Sequence, residues 1–148
     1  MLLSYHHQVL DRSVIGDYIW NQFRFRFENS KRHQREDETP PRLNAVVSYL
    51  DEHYGAAISV EDVAAHVGLS ASHLHAQFRE YFEQTPHQYL IGIRMRAAAH
   101  LLVSSDHPIK VIASDVGYVN VESFCRAFKK QYGRTAAAHR SMYRHYYA

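Results

Sequence analysis

Cysteine is nearly absent from this chain. Cys125 stands alone among 148 residues, which excludes an internal disulfide and any multi-cysteine metal cluster, and makes a reducing cytoplasm the expected location. No apolar run approaches the roughly 20 residues a membrane-spanning helix needs, so no membrane partner is expected. The start, MLLSYHHQVLD, has no basic stretch ahead of a hydrophobic core, and a secretory signal is not expected. Enzyme signatures are missing as well. The sequence contains no glycine-rich phosphate loop, no HExxH and no GxSxG, so no enzyme and no cofactor are expected. Twelve histidines are many for this length, yet they suggest no metal site. His6 and His7 lack an evident third ligand, and a spacing of two sends His73 and His75 to different sides of a helix.

Net charge is small too, +2 overall, but it is unevenly placed. Residues 42–108 carry four basic against seven acidic side chains, and residues 109–148 seven basic against two acidic. Attraction for phosphate is therefore expected on the second of these stretches.

What the sequence does have is a repeated pattern. Val60, Val63, Ala64 and Val67 give a short helical stripe. Gly68 and Leu69 break its period, and Ala71, Leu74, Phe78 and Phe82 restart it. Two helices joined by a tight glycine turn form a helix-turn-helix. A small Ala64 permits a close crossing, Gly68 accepts a positive φ, and Leu74 fills the crossing. The pattern recurs at Ile109–Tyr118: Ala113 and Gly117 lie 49 positions after Ala64 and Gly68, and Phe124 and Phe128 lie 50 after Leu74 and Phe78. Two matches in register indicate a duplicated unit.

The remaining signals arrange an all-α chain of about seven helices around these motifs. Residues 1–28 form a short N-terminal extension, with a helix expected over Asp11–Phe23. Its aromatics suit either a homodimer or partner-docking surface, or a segment packed on the main domain or left partly disordered. Residues 29–41 are polar and read as a linker. A first helix-turn-helix subdomain is expected over 42–84, opened by a helix from Arg42 to Tyr54, with Ser59 and Ser70 as N-caps. Thr85 and Pro86 start a linker helix within 85–105, with Tyr89, Ile93, Ala97, Leu101 and Leu102 periodic. Nineteen residues at 1.5 Å span about 28 Å, close to the roughly 34 Å between successive major-groove faces. The second subdomain is expected over 106–148, with Asn120 and Thr135 as caps.

These residues resemble the C-terminal DNA-binding domain of the AraC/XylS transcriptional regulators. The likeness rests on Ala64, Gly68-Leu69-Ser70, Leu74, Phe78, Arg94-Met95, Ala98, Leu101-Leu102, Ile109, Ile112-Ala113, Val116-Gly117-Tyr118, Phe124, Arg126, Phe128-Lys129-Lys130, Gly133, Thr135 and Arg140. It covers about 42–144 and implies a bacterial regulator that binds promoter DNA, commonly activating through contact with RNA polymerase. Three positions depart from the family pattern. Ala136 replaces the usual proline, His139 the usual aromatic, and Glu122 a small hydroxyl residue. Residues 1–41 are too short to hold the effector domain many members carry, so no inducer is inferred.

If Ala71, Leu74 and Phe78 face the core, the opposite face of the first recognition helix presents Ser72, His75, Ala76 and Arg79 to base edges. The second presents Glu122, Cys125 and Arg126. Arg126 can grip guanine O6 and N7, Glu122 can accept from cytosine N4, and Cys125 can meet a thymine methyl. Lys129, Lys130, Arg134 and Arg140 are expected on phosphates, which position without specifying. Arg94, on the linker helix, is expected to bridge the subdomains. The competing reading is a helical protein-interaction module that has lost specific DNA binding, motivated by the weak charge of the first unit.

Overall fold

A computed structural model describes residues 40–147 of the protein. Seven helices follow one another there: α1 Pro41–His53, α2 Val60–His66, α3 Ala71–Phe82, α4 Pro86–Ser104, α5 Ile109–Asp115, α6 Val121–Tyr132 and α7 Ala136–Tyr147. No strand interrupts them among the described residues. The helix expected over Asp11–Phe23, and the linker after it, lie outside the described residues.

Local chemistry sets the boundaries. Ser59 and Asp62 form a reciprocal capping box on α2, in which the Ser59 hydroxyl accepts from the Asp62 amide at 3.1 Å while the Ser59 amide donates to the Asp62 carboxylate at 3.0 Å. The Ser59 hydroxyl also donates to that carboxylate, and these two bonds hold Asp62 below the usual carboxylate range. Thr85 and Gln88 make the same box on α4, behind Pro86 at its first position. Ser70, Asn120 and Thr135 cap α3, α6 and α7. α2 and α5 end alike. The amides of Gly68 and Leu69 donate to Ala65 and Ala64, and those of Gly117 and Tyr118 to Ser114 and Ala113, a Schellman closure at each turn.

The helix after each turn also ends in a left-handed residue, Gly133 at φ 70° after α6 but Glu83 at φ 59° after α3. Left-handed backbone costs a side-chain-bearing residue about 1–2 kcal/mol. Glu83→Gly is therefore expected to raise stability by about 1 kcal/mol once the entropy of glycine is offset, read as a higher urea midpoint. An unchanged or lower midpoint would contradict a strained cap.

Two apolar cores result. Leu43, Val46, Val47 and Leu50 of α1 enclose the first, with Val63, Ala64, Leu74 and Phe78 from the first helix-turn-helix. Ile112, Ala113, Val116, Phe124, Phe128 and Ala136 build the second. α4 belongs to both, contributing Leu90 and Ile93 to one and Met95, Ala98 and Leu102 to the other. At 100° per residue these two sets are centred roughly 140° apart around the helix. Of the single stripe expected from Tyr89, Ile93, Ala97, Leu101 and Leu102, Ile93 and Leu102 are buried, while Tyr89, Ala97 and Leu101 are half-buried at the edges of the cores. Leu90, Met95 and Ala98 are buried in addition. A helix serving two cores in succession needs two faces. α4 packs on α1, α3, α5, α6 and α7, and so forms the axis of the fold.

His139 completes the second core's edge. It is 6% exposed, ringed by Phe128, Tyr132 and Tyr143 with centroids 4.5–5.3 Å away. The imidazole fills an aromatic's place, but its Nδ1 is buried without a hydrogen-bond partner. Tyr132, beside it, donates its hydroxyl to the Met95 carbonyl at 3.3 Å, and burial pushes its pKa up to about 12.

Candidate nucleic-acid interface

α3 and α6 hold equivalent places in the two motifs, each pinned by two buried side chains: Leu74 and Phe78, Phe124 and Phe128. Opposite them on α3, Ser72, Ala76 and Arg79 are exposed. On α6 the outward residues are Glu122, Cys125, Arg126, Lys129 and Lys130, all exposed. The two faces differ in electrostatics. Arg79 on α3 is followed by exposed Glu80 and Glu83, whereas α6 sets three cations against Glu122. His75 does not join the α3 row. Unlike Cys125, which stands at the equivalent step of α6 and is exposed, it is half-buried and lines a groove of about 340 Å³ with Ile58, Glu61, Pro86 and His87.

A polar seam ties the two motifs together. Arg94 of α4 donates from Nε to the Tyr54 carbonyl at 2.8 Å and from Nη2 to the Ala56 carbonyl at 3.0 Å. Its guanidinium lies 5.6 Å from the centre of the Tyr118 ring, in the turn before α6. Burial draws the Arg94 pKa below its ordinary value, and Tyr118 opposes that shift. Two glycines permit the close approach. A Cβ at Gly55 would stand 2.8 Å from the Asp115 carbonyl oxygen, and one at Gly117 would stand 2.5 Å from that of Tyr54 and 2.9 Å from Arg94. The loop after α1 thus rests directly on the second turn, with Arg94 as the bolt.

A family model described as a helix-turn-helix domain matches residues 63–142, more than half of the chain. The regulatory protein SoxS of Escherichia coli (strain K12) is 34% identical over 98 residues, which cover 66% of this chain and 92% of SoxS. The chain belongs to the AraC/XylS helix-turn-helix family. The HTH-type transcriptional activator RhaS of Escherichia fergusonii is 33% identical over 98 residues, 66% of this chain. That match takes in 35% of RhaS, so the chain spans well under half of this relative. Among solved structures, the DNA-binding domain of AdpA, a global transcriptional factor, in complex with a target DNA superposes with a TM-score of 0.69 at 30% identity. It covers 72% of this chain and 96% of that domain.

Within this AraC/XylS framework, Arg140 has a different place from the one its charge suggested. Its Nε donates to the Leu102 carbonyl at 3.0 Å and its Nη2 to the His107 carbonyl at 2.5 Å. Leu102 lies in the last turn of α4, where carbonyls lack intrahelical partners, so Arg140 closes that helix end rather than pointing outward to phosphate. Arg144 pairs with Asp106 in the same region. Arg134 is half-buried with its guanidinium 5.9 Å from the centre of the Tyr143 ring. Sequence reasoning also missed the contact between Gly55 and Asp115. Gly55 was legible only as a helix stop, because its role depends on a carbonyl 60 residues away. Among the described residues, no three His, Cys, Asp or Glu side chains gather into a set that could hold a metal ion.

Proposed function

We propose that this chain is a sequence-specific transcription regulator that sets α3 and α6 in successive major grooves of one DNA duplex. The observation that carries the reading is the seam of Arg94, Gly55 and Gly117, which fixes two exposed polar helix faces in one body. In this arrangement 42–84 and 106–148 are the two reading units and 85–105 the strut between them. Residues 29–41 connect to the extension 1–28, which offers a homodimer or partner contact. Ser72, Ala76 and Arg79 read bases from α3, with His75 at the edge of that face, and Glu122, Cys125 and Arg126 read from α6. Lys129, Lys130 and Arg134 hold phosphates. Contact with RNA polymerase, the activating route common among AraC/XylS regulators, and a cytoplasmic location complete the proposal.

Fluorescence titration against duplexes selected from a random library, at two or more salt concentrations, tests it. Log K is expected to fall linearly with log salt. Arg126→Ala should relax preference at one guanine by about 1–3 kcal/mol, while Lys130→Ala should weaken all sequences alike and lower the salt slope by about 1. If Arg79→Ala proved far more damaging than both, affinity would not reside on the second unit. Absent or salt-independent binding would support the protein-interaction module instead.

A further inference from the structure

The outward face of α6 contains an unused ion pair. Glu122 and Arg126 stand four residues apart with the acid on the N-terminal side, the spacing and order in which a helical carboxylate and guanidinium ordinarily attract each other. Yet Arg126 donates instead from Nη2 to the Ser123 hydroxyl at 3.3 Å, and among the described residues Glu122 forms no ion pair. Ser123 is itself well placed to act as an anchor. Its amide and that of Glu122 both donate to the Asn120 side chain, at 3.0 and 2.8 Å, which fixes the first turn of the helix. We infer that Ser123 is a positioning residue that keeps Arg126 from collapsing onto Glu122, so that both side chains remain available to bases.

Donor geometry supports this. A guanidinium has two edges that can each offer two parallel N–H groups. A single acceptor on Nη2 occupies one edge and leaves the other whole for the O6 and N7 atoms of a guanine. A carboxylate at Glu122 would leave an edge free as well, but as an ion pair it would offset the guanidinium charge and would lose its own capacity to accept from cytosine N4. The first motif has no counterpart to this device, since His73 and Ala76 stand where α6 has Ser123 and Arg126. The inference rests on α6 reading DNA, and its test separates the two.

The full chain is titrated with a duplex selected from a random library and with variants of that duplex in which each base pair is replaced in turn. Arg126→Ala first identifies the guanine that Arg126 reads, as the position where discrimination disappears; if none loses discrimination, the reading of α6 itself fails. At that guanine, Ser123→Ala is expected to lower discrimination by about threefold or more with the salt slope unchanged, and Ser123→Thr to retain it. Glu122→Gln added to Ser123→Ala removes the competing carboxylate and should restore discrimination at the guanine. Full discrimination in Ser123→Ala, or no recovery in the double variant, would overturn the positioning role. Circular dichroism melts of the same variants, expected to coincide, exclude a general loss of structure as the cause.

Discussion

Gly117→Ala is expected to destabilise the protein by about 3 kcal/mol or more, whereas Gly68→Ala, at the equivalent place in the first motif, should cost about 1–2 kcal/mol. Both glycines have positive φ, 93° and 72°, and both would pay the left-handed penalty of a side-chain-bearing residue. The difference lies in the surroundings. Nothing comes within 4 Å of a Cβ at Gly68, while one at Gly117 would stand 2.5 Å from the Tyr54 carbonyl oxygen and 2.9 Å from two Arg94 atoms. Those neighbours cannot move aside cheaply, because Arg94 is hydrogen-bonded to the carbonyls of Tyr54 and Ala56. Overpacking of this sort typically adds about 1–3 kcal/mol. Urea unfolding of the two variants measures the contrast directly. Equal midpoints would mean that the seam between the motifs is loose.

Acid should weaken the protein through His139. Burial, with a smaller contribution from Arg134, lowers its pKa from 6.5 to about 4. In the unfolded chain the ring takes up a proton near pH 6.5, whereas in the folded protein it stays neutral until about pH 4. The unfolded state therefore binds more protons between those values, and stability present above pH 6.5 is lost as pH falls toward 4. The loss from this residue amounts to about 3 kcal/mol. His139→Phe keeps a ring among Phe128, Tyr132 and Tyr143, removes the orphaned Nδ1, and cannot titrate. Its stability advantage over the parent should widen by about 3 kcal/mol between pH 7 and pH 4, in urea titrations at each pH. Parallel pH profiles for the two proteins would refute the account.

Much of the fold was legible in the sequence because its signals are local. Ser59, Ser70, Thr85 and Asn120 cap helices from within three residues, and Gly68 and Gly117 mark turns through their own backbone. The matched buried positions Ala64 and Ala113, Leu74 and Phe124, were readable from spacing. What escaped depends on partners far along the chain. Gly55 matters because of Asp115, and Arg140 is drawn from solvent by carbonyls at Leu102 and His107. The α4 stripe was legible only in part, at Ile93 and Leu102, because one period cannot describe a helix that turns from one core to another. His75, read as opposite Ala71, Leu74 and Phe78, is half-buried in the groove beside α2 and α4, which only the packing of those helices decides. On α6, Ser123 escaped notice because its significance comes from an attraction that it prevents.

The double allegiance of α4 has a consequence for how the chain comes apart. Leu90 and Ile93 cannot leave one core without disturbing the rod that carries Met95, Ala98 and Leu102 in the other. Melting should thus be a single cooperative event, and a proteolytic nick at residue 85 would deprive the leading fragment of two of its wedges. Severed there, the leading half is expected to melt at lower temperature than the intact chain.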